Sequence, residues 1–250
     1  MTTLEKRCIL AQHCSVAGEA QHCNVLCGPY TLMHSAAGRH TNANLPPEYA
    51  RTMLSNAPPA SDQAQQYADL RRYVDTFSGS AGEIRSVYLY SASPGTGKTT
   101  TAAALINEWL AARYLVARSN NENLPKQLAY FLDVNEWQSQ YLQFNRSHIP
   151  EDIAQGAALA YYRSMEKAKH APFAVLDDIG VRGVTEAFRA DLHGIINARV
   201  VTQLPTVYTS NIAMDELADV FGEARLADRV RMNTLQIPFG GESKRGVKAK

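Results

Sequence analysis

Chemistry concentrates first in the run Ala92-Ser93-Pro94-Gly95-Thr96-Gly97-Lys98-Thr99-Thr100. Gly95 and Gly97 allow the backbone to turn its N–H groups inward, the arrangement that cradles phosphate oxygens. Lys98 supplies a cation for β- and γ-phosphates, and the Thr99 hydroxyl is a ligand type for Mg²⁺. The pattern G-x-x-x-x-G-K-[ST] opens on glycine, whereas Ala92 stands at that position here. Alanine is small enough for it, provided φ stays negative.

Such a loop needs a strand before it and a helix after it, so that the helix N-terminus adds its positive dipole end. Ser86-Val87-Tyr88-Leu89-Tyr90 alternates as a strand does, and Leu105, Trp109 and Ala112 recur at helical spacing. Strand, glycine loop and helix together predict a nucleoside triphosphate site, with Pro94 to Thr100 contacting ATP or ADP.

Two further strand ends carry matching chemistry. Phe173-Ala174-Val175-Leu176 is an apolar run that ends in Asp177-Asp178. Asp177 is expected to join Thr99 around Mg²⁺, and Asp178 to orient or deprotonate an attacking water. Asp178 is one methylene shorter than the glutamate usual at that place. Pro205-Thr206-Val207-Tyr208-Thr209-Ser210-Asn211 reads as a strand ending on an amide. In parallel α/β sheets ligands sit at the carboxyl ends of strands, so Asn211 is expected beside Lys98 and Asp177 as a sensor of γ-phosphate or water.

The remaining elements must position these groups. Ala129 to Val134 reads as another strand, followed by a helix whose Trp137, Tyr141 and Phe144 form a core stripe. Pro150 suits the first position of a helix running to about Lys169, and Thr185 a cap for one bearing Phe188, Leu192 and Ile195. Proline-rich punctuation at Leu45-Pro46-Pro47 and Ala57-Pro58-Pro59 precedes a helix-like stretch from Ser61 to Phe77. This segment reads as a connector beside the nucleotide site, and its Tyr49 is a packing residue more readily than an adenine contact.

All four cysteines, Cys8, Cys14, Cys23 and Cys27, lie near the N-terminus among His13, His22, His34 and His40. Four thiolates at these spacings suit a tetrahedral Zn²⁺, with His13 or His22 an alternative ligand. Few apolar residues are available for a separate core there, so a metal would supply folding energy.

Composition sets the outer bounds. The chain has 250 residues, 45% hydrophobic and 20% charged, with a formal net charge of +1. Any nucleic-acid contact therefore needs a local basic patch, for which Arg182, Lys244, Arg245, Lys248 and Lys250 are the weak candidates. No apolar run approaches the ~20 residues of a membrane span, and no apolar stretch follows the start as in a signal peptide. The expectation is a cytoplasmic protein with no membrane contact. The domains expected are a Cys-rich zinc-binding adaptor at 1–44, a connector at 45–82 and an ATPase domain at 83–250.

Assembled in this order, the motifs resemble the DnaC/DnaI type of AAA+ replicative helicase loader, a group that includes the IstB transposition ATPases. The residues carrying the resemblance are Pro94-Gly95-Thr96-Gly97-Lys98-Thr99, Val175-Leu176-Asp177-Asp178-Ile179-Gly180, Thr209-Ser210-Asn211, Ala227-Asp228-Arg229-Val230 and Gly241-Glu242-Ser243-Lys244-Arg245. It implies an α/β P-loop fold of the AAA+ (ASCE) kind, a three-layer core on a parallel sheet. It also implies that Lys98 and Thr99 are Walker A, Asp177 and Asp178 Walker B, and Asn211 sensor 1. Arg229 is implied as an arginine finger acting on a neighbouring subunit, with Arg225 one turn earlier as the alternative, and Arg245 as sensor 2. The Cys-rich start is similar to the zinc-binding adaptor of such loaders, in looser spacing. The implied partners are a DnaB-type hexameric helicase, single-stranded DNA and further copies of the chain in the ATP state. An IstB-like ATPase acting with a transposase on duplex DNA shares nearly all of these motifs.

Overall fold

A computed structural model describes residues 4–79, 83–180, 183, 185–222 and 224–241. Its centre is a five-stranded, wholly parallel sheet: β1 (Ser86–Tyr90), β2 (Ala129–Asp133), β3 (Phe173–Asp177), β4 (Thr206–Ser210) and β5 (Thr234–Pro238). The spatial order is β2-β3-β4-β1-β5, so β4 is inserted between the glycine-loop strand and the Asp-Asp strand. All strands point the same way, and the expected functional residues therefore emerge along one edge.

Parallel sheets must be covered on both faces, and the side-chain alternation divides the sheet accordingly. Val87, Leu89, Phe131, Val175 and Val207 face one apolar cluster; Tyr88, Tyr130, Leu132, Leu176 and Tyr208 face the other. The first is covered by α3 (Ala64–Val74) and α4 (Lys98–Ser119), the helix that follows the glycine loop. Residues 102–106 of α4 are buried consecutively, so this helix is apolar around most of its circumference rather than striped.

The second cluster is built by α5 (Val134–Phe144), α6 (Glu151–His170), α7 (Glu186–Val201), α8 (Leu217–Phe221) and α9 (Ala224–Met232). The aromatic stripe of α5 packs as expected: Trp137 stacks on Tyr161 with ring centroids 4.6 Å apart, and Phe188 tilts against it at 4.7 Å. Thr185 caps α7 by accepting from Phe188 N–H at 3.2 Å. Pro150 is the residue before α6 rather than its first. Buried Arg199 ties α6, α7 and β4 together by donating to the carbonyls of Ala168, Ala171 and Pro205.

The N-terminal stretch forms α1 (Gly28–His34), α2 (Arg39–Asn42) and short 3-10 turns. Its sparse apolar residues find a core elsewhere: Ile9, Leu10, Met33 and Ala43 join the cluster that covers α4. The same segment shields the edge of β2, where Phe131 N–H donates to Ala43 O and Asn44 Nδ2 to Phe131 O. An open sheet edge is a site for unwanted pairing, and this one is covered. Ahead of α3, Asn107 of α4 holds the connector by donating to the carbonyls of Tyr49 and Thr52, both at 2.9 Å.

Candidate functional site

The carboxyl edge of the sheet opens into a cleft of about 700 Å³, lined by the glycine loop, Asp133, Asn135, Asp177, Asp178, Thr209, Asn211 and the connector around Tyr49, Pro59 and Gln63. The loop bends through left-handed conformations at Gly95 (φ 73°) and Gly97 (φ 97°). Glycine is required at 97 on a second ground, because a Cβ there would lie 2.3 Å from Pro59 Cγ. Connector and phosphate loop are therefore in direct contact. The connector is also tied to the far side of the cleft, where Gln63 Nε2 donates to Gly240 O at 2.7 Å.

Lys98 begins α4 and is buried at the loop. Its ammonium donates to Asn211 Oδ1 at 2.6 Å and to the carbonyl of Ser93 at 3.3 Å. The meeting follows from register: Tyr90 of β1 is level with Ser210 of β4, so the next residue of β4's chain arrives beside the loop. One position on, the Thr99 hydroxyl donates to Asp177 Oδ2 at 3.1 Å. Lys98, Thr99, Asp177 and Asn211 thus stand together as the strand-end argument expects. The buried Thr96 hydroxyl has no hydrogen-bond partner among the described residues, an unmet polar atom within the glycine loop. A glycine loop bent through two left-handed residues, a buried ammonium and a hydroxyl–carboxylate pair fit a triphosphate with its Mg²⁺ in donor chemistry.

Asp177 is almost fully buried, and that burial pushes its pKa up to about 6. The hydroxyls of Thr209 and Thr99 oppose the shift, while the nearby carboxylates Asp133 and Asp178 add to it. A carboxylate that is poorly solvated and faces two like charges is one whose charged form a bound cation would stabilise.

Asp178 leaves β3 in a left-handed conformation, φ 60°, which is uncommon outside glycine and which asparagine and aspartate enter most readily. Its N–H donates to Thr209 Oγ1 at 2.8 Å, and its Oδ2 accepts from Asn135 Nδ2 at 2.9 Å. Asn135 is a site residue absent from the sequence reading. It lies in the first turn of α5, where Asp133 caps the helix by accepting from the N–H groups of Asn135 and Glu136. The turn after Asp178 packs closely on the end of β4: a Cβ at Gly180 would lie 2.9 Å from Ser210 Oγ.

The other expected residues stand apart from the cleft. Arg229 lies on α9 and donates to Asn197 Oδ1 of α7 at 2.6 Å, and Arg225 is exposed on the same helix. Neither lines the cleft of its own chain. Arg182, Lys244, Arg245, Lys248 and Lys250 lie outside the described residues. Tyr49 is half-buried at the cleft wall and packs against the α4 cluster, the packing role expected of it.

The four cysteines are free thiols, with Cys14 exposed and the others partly buried. Burial raises the Cys8 pKa, and Cys27, Cys23 and Cys14 lie near enough to raise it further. Even so, no group of three or more His, Cys, Asp or Glu side chains among the described residues is arranged to hold a metal ion. The expected zinc-ligand geometry is therefore not formed in this structure.

A parallel sheet in this order, with a glycine loop after β1, acids after β3 and an amide after β4, defines an α/β fold. Solved structures agree: a crystal structure of DnaI superposes with a TM-score of 0.54 at 22% identity, covering 82% of this chain and 99% of that one. AMPPCP-bound DnaA from Aquifex aeolicus gives a TM-score of 0.52 at 17% identity, covering 78% of this chain and 51% of that one.

In sequence the likeness is to DnaC/DnaI-type helicase loaders. The Escherichia coli replicative helicase loader DnaC is 24% identical over 184 residues, 73% of this chain and 64% of the relative. The Bacillus subtilis loader DnaI is 28% identical over 176 residues, 66% of this chain and 49% of the relative. The chain thus spans about two thirds of one curated relative and half of the other. No family model matches it.

Proposed function

We propose that this protein is an ATP-dependent helicase loader, which binds a DnaB-type replicative helicase and delivers it onto single-stranded DNA. The observation that carries the reading is the pair of contacts in the cleft, Lys98 with Asn211 and Thr99 with Asp177. The named relatives, both replicative helicase loaders, support it.

In this reading the loop from Pro94 to Thr100 wraps the phosphates of ATP or ADP through its N–H groups, and Lys98 neutralises the β- and γ-phosphate charge. Mg²⁺, held by Thr99 and Asp177, supplies charge neutralisation across the phosphate oxygens. Asp178 accepts the proton of an attacking water, and Asn211 orients that water against the γ-phosphate. Arg229 acts on the site of a neighbouring copy, with Arg225 as the alternative finger and Arg245 as the contact from within the chain. Arg229 and Arg225 stand outside their own cleft, as residues serving a neighbour must. Hydrolysis by a single copy is accordingly slow.

A Zn²⁺ at Cys8, Cys14, Cys23 and Cys27 belongs to the same proposal, supported by the spacing of the four cysteines along the sequence. Metal analysis of protein purified without added zinc tests it: one equivalent per chain is expected, and none in a folded protein refutes it. The loader reading is tested by native mass spectrometry of the chain mixed with its cognate hexameric helicase, with and without ATP. Several copies per hexamer are expected. No complex in any nucleotide state refutes the reading and favours an IstB-like ATPase acting with a transposase on duplex DNA.

A further inference from the structure

Thr209 makes hydrogen bonds to three successive residues of the neighbouring strand end. Its carbonyl accepts from Ile179 N–H at 3.0 Å. Its hydroxyl accepts from Asp178 N–H at 2.8 Å and donates to Asp177 Oδ1 at 2.7 Å. The β3–β4 register runs only to Leu176 opposite Tyr208, so beyond that level the Thr209 hydroxyl enters where the strand ladder stops. The side chain is 1% exposed, and the hydroxyl's single proton is committed to Asp177. Asp178 meanwhile sits at φ 60°, an uncommon conformation that costs a non-glycine residue free energy, though aspartate less than most.

We propose that Thr209 is the positioning residue of the acid pair: one buried hydroxyl both aims the Asp177 carboxylate at Thr99 and holds the left-handed turn that presents Asp178. With one Asp177 oxygen engaged by Thr209, the other is directed to the Thr99 hydroxyl. With the Asp178 N–H engaged, its carboxylate lies within reach of Asn135 and the cleft. Thr209 acts on the reaction only through these two aspartates. The inference rests on the reading of the cleft as a Mg²⁺-nucleotide site.

The test compares Thr209→Val, which keeps the shape and removes the hydroxyl, with Thr209→Ser, which keeps the hydroxyl. Two quantities are measured on the whole chain: amide exchange at Asp178, and the Mg²⁺ concentration needed for half-maximal ADP affinity. In Thr209→Val the Asp178 amide should lose its protection. The Mg²⁺ requirement should rise by about 10- to 100-fold, the usual effect of removing an outer partner of a metal ligand. ADP affinity without Mg²⁺ should stay within about twofold, because the hydroxyl touches no loop group. Thr209→Ser should restore both quantities. If the valine variant does not fold, Thr209→Ala against Thr209→Ser makes the same comparison. A protected Asp178 amide and an unchanged Mg²⁺ requirement in Thr209→Val overturn the proposal, as does a serine variant no better than valine. The exchange measurement needs no nucleotide, so a wild type that binds no ADP overturns the cleft reading separately.

Discussion

Replacing Asp177 by asparagine should make the nucleotide-free protein more stable at neutral pH. Burial raises its pKa from 3.8 to about 6, so the folded state binds this proton more tightly than the unfolded chain does. The sign follows from linkage: below pH ~4 both states carry the proton and the site costs nothing. As pH rises through 6 the buried group must ionise, and stability is lost. A difference of about 2 pKa units corresponds to about 3 kcal/mol at pH 8, falling to about 1 kcal/mol at pH 4.5. Asp177→Asn removes that cost while keeping the shape, and the Thr209 and Thr99 hydroxyls can each still pair with the amide.

At about 2 to 4 °C per kcal/mol for a chain of this size, Tm should rise by roughly 5 °C or more at pH 8 and by about a third as much at pH 4.5. The assay is thermal unfolding of both proteins at the two pH values, without nucleotide or divalent cation. The variant should also lose any further stabilisation that Mg²⁺-nucleotide gives the wild type. An equal Tm change at both pH values, or a lower Tm for the variant at pH 8, refutes the argument that Asp177 is a desolvated carboxylate.

Gly97→Ala should cost about 3 kcal/mol or more and abolish nucleotide binding, because a Cβ there meets Pro59 and the residue would be held at positive φ; a folded variant with wild-type affinity refutes this. Asn135→Ala should raise the ATPase rate of the isolated chain about fivefold, since the Asp178 carboxylate no longer has to give up a hydrogen bond of about 1 kcal/mol to reach the attacking water. An unchanged or reduced rate counts against it. Arg229→Ala should leave ATP affinity intact and lower assembly-dependent hydrolysis by about 10³-fold or more; equal rates in mutant and wild type across protein concentrations would remove Arg229 from that role.

The parts of the site legible in the sequence are those fixed by strand ends. Asp177 and Asn211 stand at or just beyond a strand end, and Lys98 and Thr99 close the glycine loop that leaves β1. A parallel sheet delivers such positions to one edge whatever the intervening helices do. Thr209 and Asn135 were not legible as site residues. The first points from the body of a strand and acts through a hydroxyl, a group equally common in packing. The second lies inside a helix start, and its role depends on the left-handed turn at Asp178.

Among the strands, β5 escaped the reading because Thr234-Leu235-Gln236-Ile237-Pro238 follows a charged helix and ends in proline. The destination of the N-terminal segment was hidden for another reason. Ile9, Leu10 and Met33 are too few and too irregularly spaced to announce a core, and the surface they complete belongs to α4, some 90 residues later in one case. Apolar periodicity reports the face an element presents, not the element that receives it.

In the proposed function the cleft binds a Mg²⁺-nucleoside triphosphate through Lys98. Isothermal calorimetry of ATP binding to the wild type and to Lys98→Ala, with and without Mg²⁺, tests it most directly. One Mg²⁺-dependent site is expected in the wild type and an affinity lower by about 100-fold or more in the variant, the loss of a charge-assisted phosphate contact. ATP binding that is indifferent to both Lys98 and Mg²⁺, or absent from the wild type, would contradict it.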